Sequence, residues 1–512
     1  MKRTYKLVVL ILLSFLLLPS LVLSQQVSLT ILHTNDTHGH LLPFSYPSVV
    51  SPGSELAGLK VRRDIGGIAR RATLVKRLRA GLERGGTTVW LIDAGDFSDG
   101  TPFSTEYHGE ADIAAMNAAG YTFGTIGNHE FNNPLSTLKK LLGMFKYPVL
   151  CANAIETSTG KPLAPASVIR ELGLLKIGIF GLVTREAGRY QAGNEGVTVS
   201  GEIETAQRMV NSFRPGAGVV IAISHAGEEV DEQIGAAVPG LDVIIGGHSH
   251  SRLPSGQFVW RSDELKAKEV NGTIIVQAHQ WGGELGRLDL LFDKDERGVW
   301  HVERYRARLV PVTPDIPEDE AVAAAVDRYW KPIAACYGEV VGMAADDFSE
   351  RGDDLAPYNL VADSIREATG TEIEFENMGG VRAPLIKGNI TRADMIEMDP
   401  FENKVVTFKI TGRQLKEILR RGRPAVSGLR YRLENGAITE VTVAGQPVDD
   451  DRVYTGATNT YFAEYALKGV EVVNTGKLRR DMVIEIIRKK GTVKPIYDGR
   501  RVVIQLQANI NR

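Results

Sequence analysis

Val27-Ser-Leu-Thr-Ile-Leu32 runs straight into His33-Thr-Asn-Asp36-Thr-His38. A short apolar run rich in branched residues reads as a buried strand, and an open α/β sheet collects its ligands beyond the carboxyl ends of such strands. The same grammar recurs downstream. Further Val/Ile/Leu runs lie at 88–92, 176–180, 218–223, 241–245 and 273–276, and a helical pattern at 67–82 carries Leu74, Leu78 and Leu82 four residues apart. Strands covered on both faces by helices predict an α/β sandwich-like domain.

Four more polar motifs sit at or just beyond these runs: Asp93-Ala-Gly-Asp96, Gly127-Asn128-His129-Glu130, Ser224-His225-Ala-Gly and Gly246-Gly-His248-Ser-His250. Together with the opening motif and His40 just after it, they hold seven of the chain's ten histidines. A lone histidine at a strand end is more often a hydrogen-bonded structural residue than a ligand, but five motifs in series are not explained that way. Carboxylate, amide and imidazole groups without a thiolate suit Zn²⁺, Mn²⁺ or similar borderline ions. Seven candidates with one bridging carboxylate would supply four positions to each of two ions, the arrangement for displacement at phosphorus. His33 and His40 read as supporting residues, and Asp93 as support for the loop around Asp96.

Composition bounds the rest. At 512 residues and 43% apolar content the chain exceeds a single core. Lys2, Arg3 and Lys6 precede an apolar run from Leu7 to Leu18 and a small-residue exit at Val22-Leu23-Ser24, so residues 1–24 read as a secretory signal peptide rather than a stable membrane anchor. Its removal takes three basic and no acidic residues, leaving 57 Lys plus Arg against 62 Asp plus Glu, which offers no attraction to polymeric nucleic acid. Cys151 and Cys336 are expected to be buried thiols. A Pro-rich acidic break after Val310 and the Ala-rich helical run behind it predict a linker over 311–340, dividing a domain at 25–310 from an α+β domain at 341–512 with strands at 404–410 and 502–506.

The motif set resembles the calcineurin-like metallophosphoesterase fold, in its 5′-nucleotidase branch. His33-Thr-Asn-Asp-Thr-His-Gly-His, Gly66-Gly-Ile-Ala-Arg-Arg and Gly127-Asn-His-Glu-Phe-Asn-Asn-Pro carry the likeness, which extends from about Val27 to the C-terminus. It implies an αββα sandwich followed by an α+β substrate-binding domain, and a small nucleotide substrate. By motif, Asp36, His38, Asp96 and His250 would hold one metal, and Asp96, Asn128, His225 and His248 the other. The water they activate would attack phosphorus in line, and His129 would stabilise the transition state or help the leaving group. Family members often pair that histidine with an Asp three residues on. Here Asn132 stands there, and an amide cannot stabilise imidazolium by charge, so a less readily protonated His129 is expected.

In the second half, Glu376-Asn377-Met-Gly-Gly-Val-Arg382 is similar to the family's phosphate-binding turn, with Asn377 and Arg382 as substrate residues. Pro400-Phe401-Glu-Asn is similar to the segment whose Phe stacks on the base, and the second aromatic is expected at Tyr461 or Phe462. Two departures stand out. The family's Gly-Gly-Asp-Gly turn is replaced by Ala463-Glu-Tyr-Ala-Leu-Lys-Gly469, and Arg351 occupies a shifted position for the upstream arginine. The resemblance implies an exported 5′-nucleotidase, periplasmic or extracellular. 2′,3′-cyclic phosphodiesterase and UDP-sugar hydrolase are alternatives within the family. A sulfur-compound hydrolase and a non-catalytic nucleotide-binding protein are remoter ones.

Overall fold

The computed structural model describes residues 26–51, 54–260 and 272–504. The signal-peptide expectation, at 1–24, falls outside them. Among the described residues no helix is long and apolar enough to cross a membrane.

Two sheets face each other in the N-terminal half. One runs Trp300–Pro311, Glu284–Lys294, Val27–Thr34, Thr88–Asp93, Phe123–Gly124, and the other Gln257–Trp260, Gly272–Val276, Val243–Gly246, Val219–His225, Leu175–Val183, Ser167–Leu172. Side chains alternate across a strand, so each strand feeds two layers. Leu29, Ile31, Trp90 and Ile92 of the first sheet meet Ile177, Ile179, Ile221, Ile223 and Ile245 of the second in one buried core. Leu32, Val89 and Leu91 point the other way, onto helices Ile68–Arg84 and Glu110–Ala119. Phe180, Leu182, Val220 and Ile244 point onto Glu202–Phe213 and Glu228–Ala237. The result is the αββα sandwich. Near-continuous apolar runs are what strands buried on both faces require.

Behind the Pro-rich stretch, helix Glu320–Tyr337 is capped by the Asp319 carboxylate, which accepts from Val322 N at 3.2 Å. Its first turns bury Val322 and Val326 against the N-terminal helices, while Ile333 and Tyr337 meet Ile396 of the second half. Cys336 lies on the outer side of this helix and is exposed, contrary to expectation, because its neighbours Ile333 and Tyr337 take the inward face. Cys151 is buried, and both are free thiols.

The C-terminal half is α+β. A five-stranded sheet runs Ala425–Ser427, Ile373–Glu376, Val453–Asn459, Lys404–Thr411, Val472–Leu478. Helices Ala356–Thr369 and Arg479–Lys490 pack in one core cluster, and Gly412–Gly422 belongs to another. The last described strand, Arg501–Ile504, pairs with Leu429–Glu434.

Candidate metal centre and substrate cleft

Parallel pairing brings the motif loops together. Thr34 pairs with Asp93 and Asp93 with Gly124, so the loops after the first three strands leave side by side; His225 ends its own strand beside Val183. Asp36, His38, Asp96, Asp99, His248 and His250 all have left-handed backbones, with φ between 47° and 76°. Non-glycine residues in this region are uncommon and gather at functional sites. Gly127 is required by contact. A Cβ there would lie 2.0 Å from the Asp96 carboxylate.

The side chains converge tightly. Asp36 Oδ1 is 3.4 Å from His250 Nε2, 3.8 Å from His225 Nε2 and 3.9 Å from His38 Nε2. Asp96 Oδ2 is 3.0 Å from His225 Nε2, 3.9 Å from His38 Nε2 and 4.0 Å from His129 Nε2. His38 and His250 face each other Nε2 to Nε2 at 3.1 Å, near the separation of about 3.3 Å that two imidazoles would have on one tetrahedral ion. Asp36, His38 and His250 form one group able to hold an ion, and Asp96, His225 and His248 another, with Asp96 also grouped with His38 and His129.

Two observations test whether a cation suits this cluster. First, backbone carbonyls choose the tautomers. Ala94 O lies 2.7 Å from His225 Nδ1 and Asp99 O 3.0 Å from His38 Nδ1. A carbonyl only accepts, so Nδ1 donates and Nε2 presents its lone pair to the cluster. Second, Asn128 Oδ1 is buried without a hydrogen-bond partner among the described residues, a costly state unless something else satisfies it, and His225 Nε2 faces the Asp96 carboxylate at 3.0 Å. Burial would raise the Asp36 carboxyl, but His250 and His225 hold it down at about 2. Burial would lower His225, yet Asp96 and Asp36 push it up to about 10. Such a pairing of acids and imidazoles is one in which divalent ions replace protons. The donor set fits.

Supporting residues fix these loops. Asp93 accepts from Thr34 Oγ1 at 2.6 Å and Gly95 N at 3.0 Å, the loop support read from sequence. Glu130, which sequence reading passed over, accepts from Asp96 N at 3.1 Å and Gly127 N at 2.7 Å through Oε2, and from Ser98 through Oε1. It pins the Asp96 loop to the Gly127 loop. His33 is buried and packs over Gly286. His40 stacks on Trp281 at 4.3 Å between ring centroids.

His129 requires a correction. Its Nδ1 lies 2.7 Å from Asp99 Oδ2, and Asn132 Nδ2 donates to that same oxygen. Asp99, three residues beyond Asp96 on the turn, supplies the negative charge that Asn132 lacks. Burial pulls His129 down, but Asp96 and Asp99 together hold it above the ordinary imidazole value, opposite to the expectation from Asn132 alone.

A cavity of about 780 Å³ opens on the His129 side, lined by Asp99, Asn132, Tyr190, Asn377, Arg382, Phe401 and Tyr461. A second, of about 520 Å³, opens on the His250 side, and Arg382 lines both. Two expected substrate residues are elsewhere. Phe462 is fully buried, because helix Thr460–Ala466 turns it into the core against Phe375 while Tyr461 faces the cavity. Arg351 sits on the hairpin Glu350–Arg351/Asp354–Leu355, lies over the Tyr497 ring at 3.9 Å, and lines neither cavity.

What holds the cleft's C-terminal wall is a buried arginine that sequence reading missed. Arg479 donates to both Asp399 oxygens at 2.8 and 2.5 Å, to Gly380 O at 2.7 Å, and to the Glu376 carboxylate. It thereby joins the 376–382 turn to the segment leading into Phe401.

Residues 29–252 match the family model for calcineurin-like phosphoesterases, and residues 340–471 match that for the 5′-nucleotidase C-terminal domain. The 5′-nucleotidase of Vibrio vulnificus is 27% identical over 91% of both chains. The trifunctional nucleotide phosphoesterase protein YfkN of Bacillus subtilis is 27% identical over 79% of this chain, which spans 29% of that protein's length. Among solved structures, the 5′-nucleotidase precursor from Thermus thermophilus superposes with a TM-score of 0.80 at 27% identity, covering 93% of this chain and 99% of that one.

Proposed function

Because this chain belongs to the 5′-nucleotidase family and is a metal-dependent phosphoester hydrolase, we propose that it converts nucleoside 5′-monophosphates and water to nucleosides and phosphate. The observation that carries this reading is one continuous cavity lined by His129 at the metal-binding cluster, by Arg382, and by the aromatic pair Phe401 and Tyr461.

Asp36, His38, Asp96 and His250 would hold one divalent ion, and Asp96, Asn128, His225 and His248 the other. When bound, such ions polarise phosphoryl oxygens and lower the pKa of water towards neutrality. The chain's own groups do the rest. Arg382, whose charge bears on both His38 and His129, offers a planar fork that matches two phosphoryl oxygens. His129 keeps its Nδ1 proton on Asp99, so its Nε2 can donate to a phosphoryl or leaving oxygen. Phe401 and Tyr461 present ring faces to the base, which accept any base because each has a π face. Residues 1–24 would direct export, placing the enzyme outside the cytoplasm.

A second reading, diester hydrolysis of the cyclic-nucleotide or nucleotide-sugar kind, has its own support. The 520 Å³ cavity beyond Arg382 leaves room for another substituent on phosphorus, and segment 463–469 has no aspartate to grip a nucleoside. The deciding assay strips the protein of metal, restores Mn²⁺ or Zn²⁺, and separates the products formed from adenosine monophosphate, 2′,3′-cyclic AMP, UDP-glucose and an aryl phosphate: nucleoside or phenol plus phosphate from the monoesters, a ring-opened monophosphate from the cyclic ester, and UMP with glucose 1-phosphate from the sugar ester. Metal-dependent turnover led by the monophosphate is expected. Preference for the cyclic or sugar ester would establish the second reading, and binding without turnover of any ester would sink both.

A further inference from the structure

Arg480 lines the same 780 Å³ cavity as Phe401, Glu402, Asn403 and Tyr461. It is buried, at 9% exposure. Its hydrogen bond runs from Nη1 to the Asp399 carbonyl at 2.6 Å, and among the described residues it forms no ion pair. Its neighbour is the opposite case, since Arg479 is saturated by Asp399, Glu376 and Gly380. Among the described residues no hydrogen bond engages its Nη2 or Nε, and the side chain lines the cavity. A largely buried guanidinium without a counter-ion is costly, and an acceptor arriving with the ligand offsets that cost.

The tether tells where those donors stand. Asp399 is two residues before Phe401, so the guanidinium is anchored to the segment that carries the proposed stacking ring, and both line one cavity. We propose that Arg480 is a specificity-determining residue that reads the acceptor edge of the base and selects guanine over adenine. The inference rests on the nucleotidase reading above. Guanine presents N7 and O6 as two adjacent acceptors, which an arginine fork meets with two donors. Adenine presents N7 beside the N6 amino group, so one arginine donor faces another donor. The stacking pair supplies general affinity for bases, and Arg480 ranks them.

The test compares kcat/KM for guanosine and adenosine monophosphates in the metal-loaded wild type, Arg480→Gln and Arg480→Lys. A guanine preference of about tenfold is expected in the wild type, the scale of one bidentate base contact. Arg480→Gln should invert it, because a glutamine amide pairs with adenine N6 and N7. Arg480→Lys keeps the charge without the fork and should flatten the ratio. A ratio unchanged in both variants, or an equal loss on both nucleotides, overturns the proposal and leaves Arg480 as a brace for the Asp399 segment. Wild-type protein that releases phosphate from neither nucleotide would refute the nucleotidase reading instead.

Discussion

The two walls of the cleft are built on opposite plans. On the metal side, each functional residue lies within a few positions of the strand that carries it, and adjacent parallel strands bring the locking partners alongside, as Thr34 beside Asp93 and Glu130 beside the Asp96 and Gly127 amides. On the substrate side, Arg382 and Phe401 owe their places to Arg479, about 80 to 100 residues further along the chain. Residues placed next to their own strands make a site that is written in motifs. Long-range construction makes one that a motif only hints at.

The sharpest break of this contrast is Asp96→Ala, the carboxylate shared between the candidate ion groups. Metal content measured by elemental analysis should collapse and phosphate release fall to the buffer blank, while the C-terminal half keeps its urea midpoint. Retention of two ions per chain would contradict the shared role.

Arg479→Met should do the reverse. It leaves Glu376 and Asp399 as buried carboxylates without their counter-ion, a change that typically costs about 3–5 kcal/mol. Urea denaturation should show a loss of that size and KM for nucleotides should rise, with metal content untouched. A loss below about 1 kcal/mol would mean that the triad does not hold the wall.

Asp99→Asn probes the boundary between the walls. Asparagine tolerates the left-handed backbone at this position, so the expected effect is confined to His129: a fall of about 10²-fold in kcat, within the range for general acid–base groups, at nearly constant KM. An unchanged kcat would remove Asp99 from the mechanism.

Much of the metal side was legible because strand runs and polar loops alternate in register. The run at 27–32 was visible as a strand, and Asp36 and His38 as its loop, without any tertiary information. Asp99 escaped because the pairing was sought at the position three after His129, whereas the fold delivers it from the Asp96 turn 30 residues upstream. Phe462 was misread because two adjacent aromatics on a helix diverge by about 100°, and only the packing of Phe375 tells which one faces inward. Arg351 looked like a displaced phosphate ligand until the hairpin turned it onto Tyr497. In each case a motif located the segment, and the direction of the side chain depended on distant contacts.

The left-handed backbones of Asp36, His38, Asp96, His248 and His250 restrict the evolutionary alphabet of the site. Asp, Asn and His are the side-chain-bearing residues that tolerate this conformation most readily, and they are also oxygen and nitrogen donors. Glutamate is an equally good ligand chemically, but it lacks that tolerance. Drift at these positions is therefore confined to exchanges among three residue types, and a search for distant relatives should weight those exchanges above charge conservation.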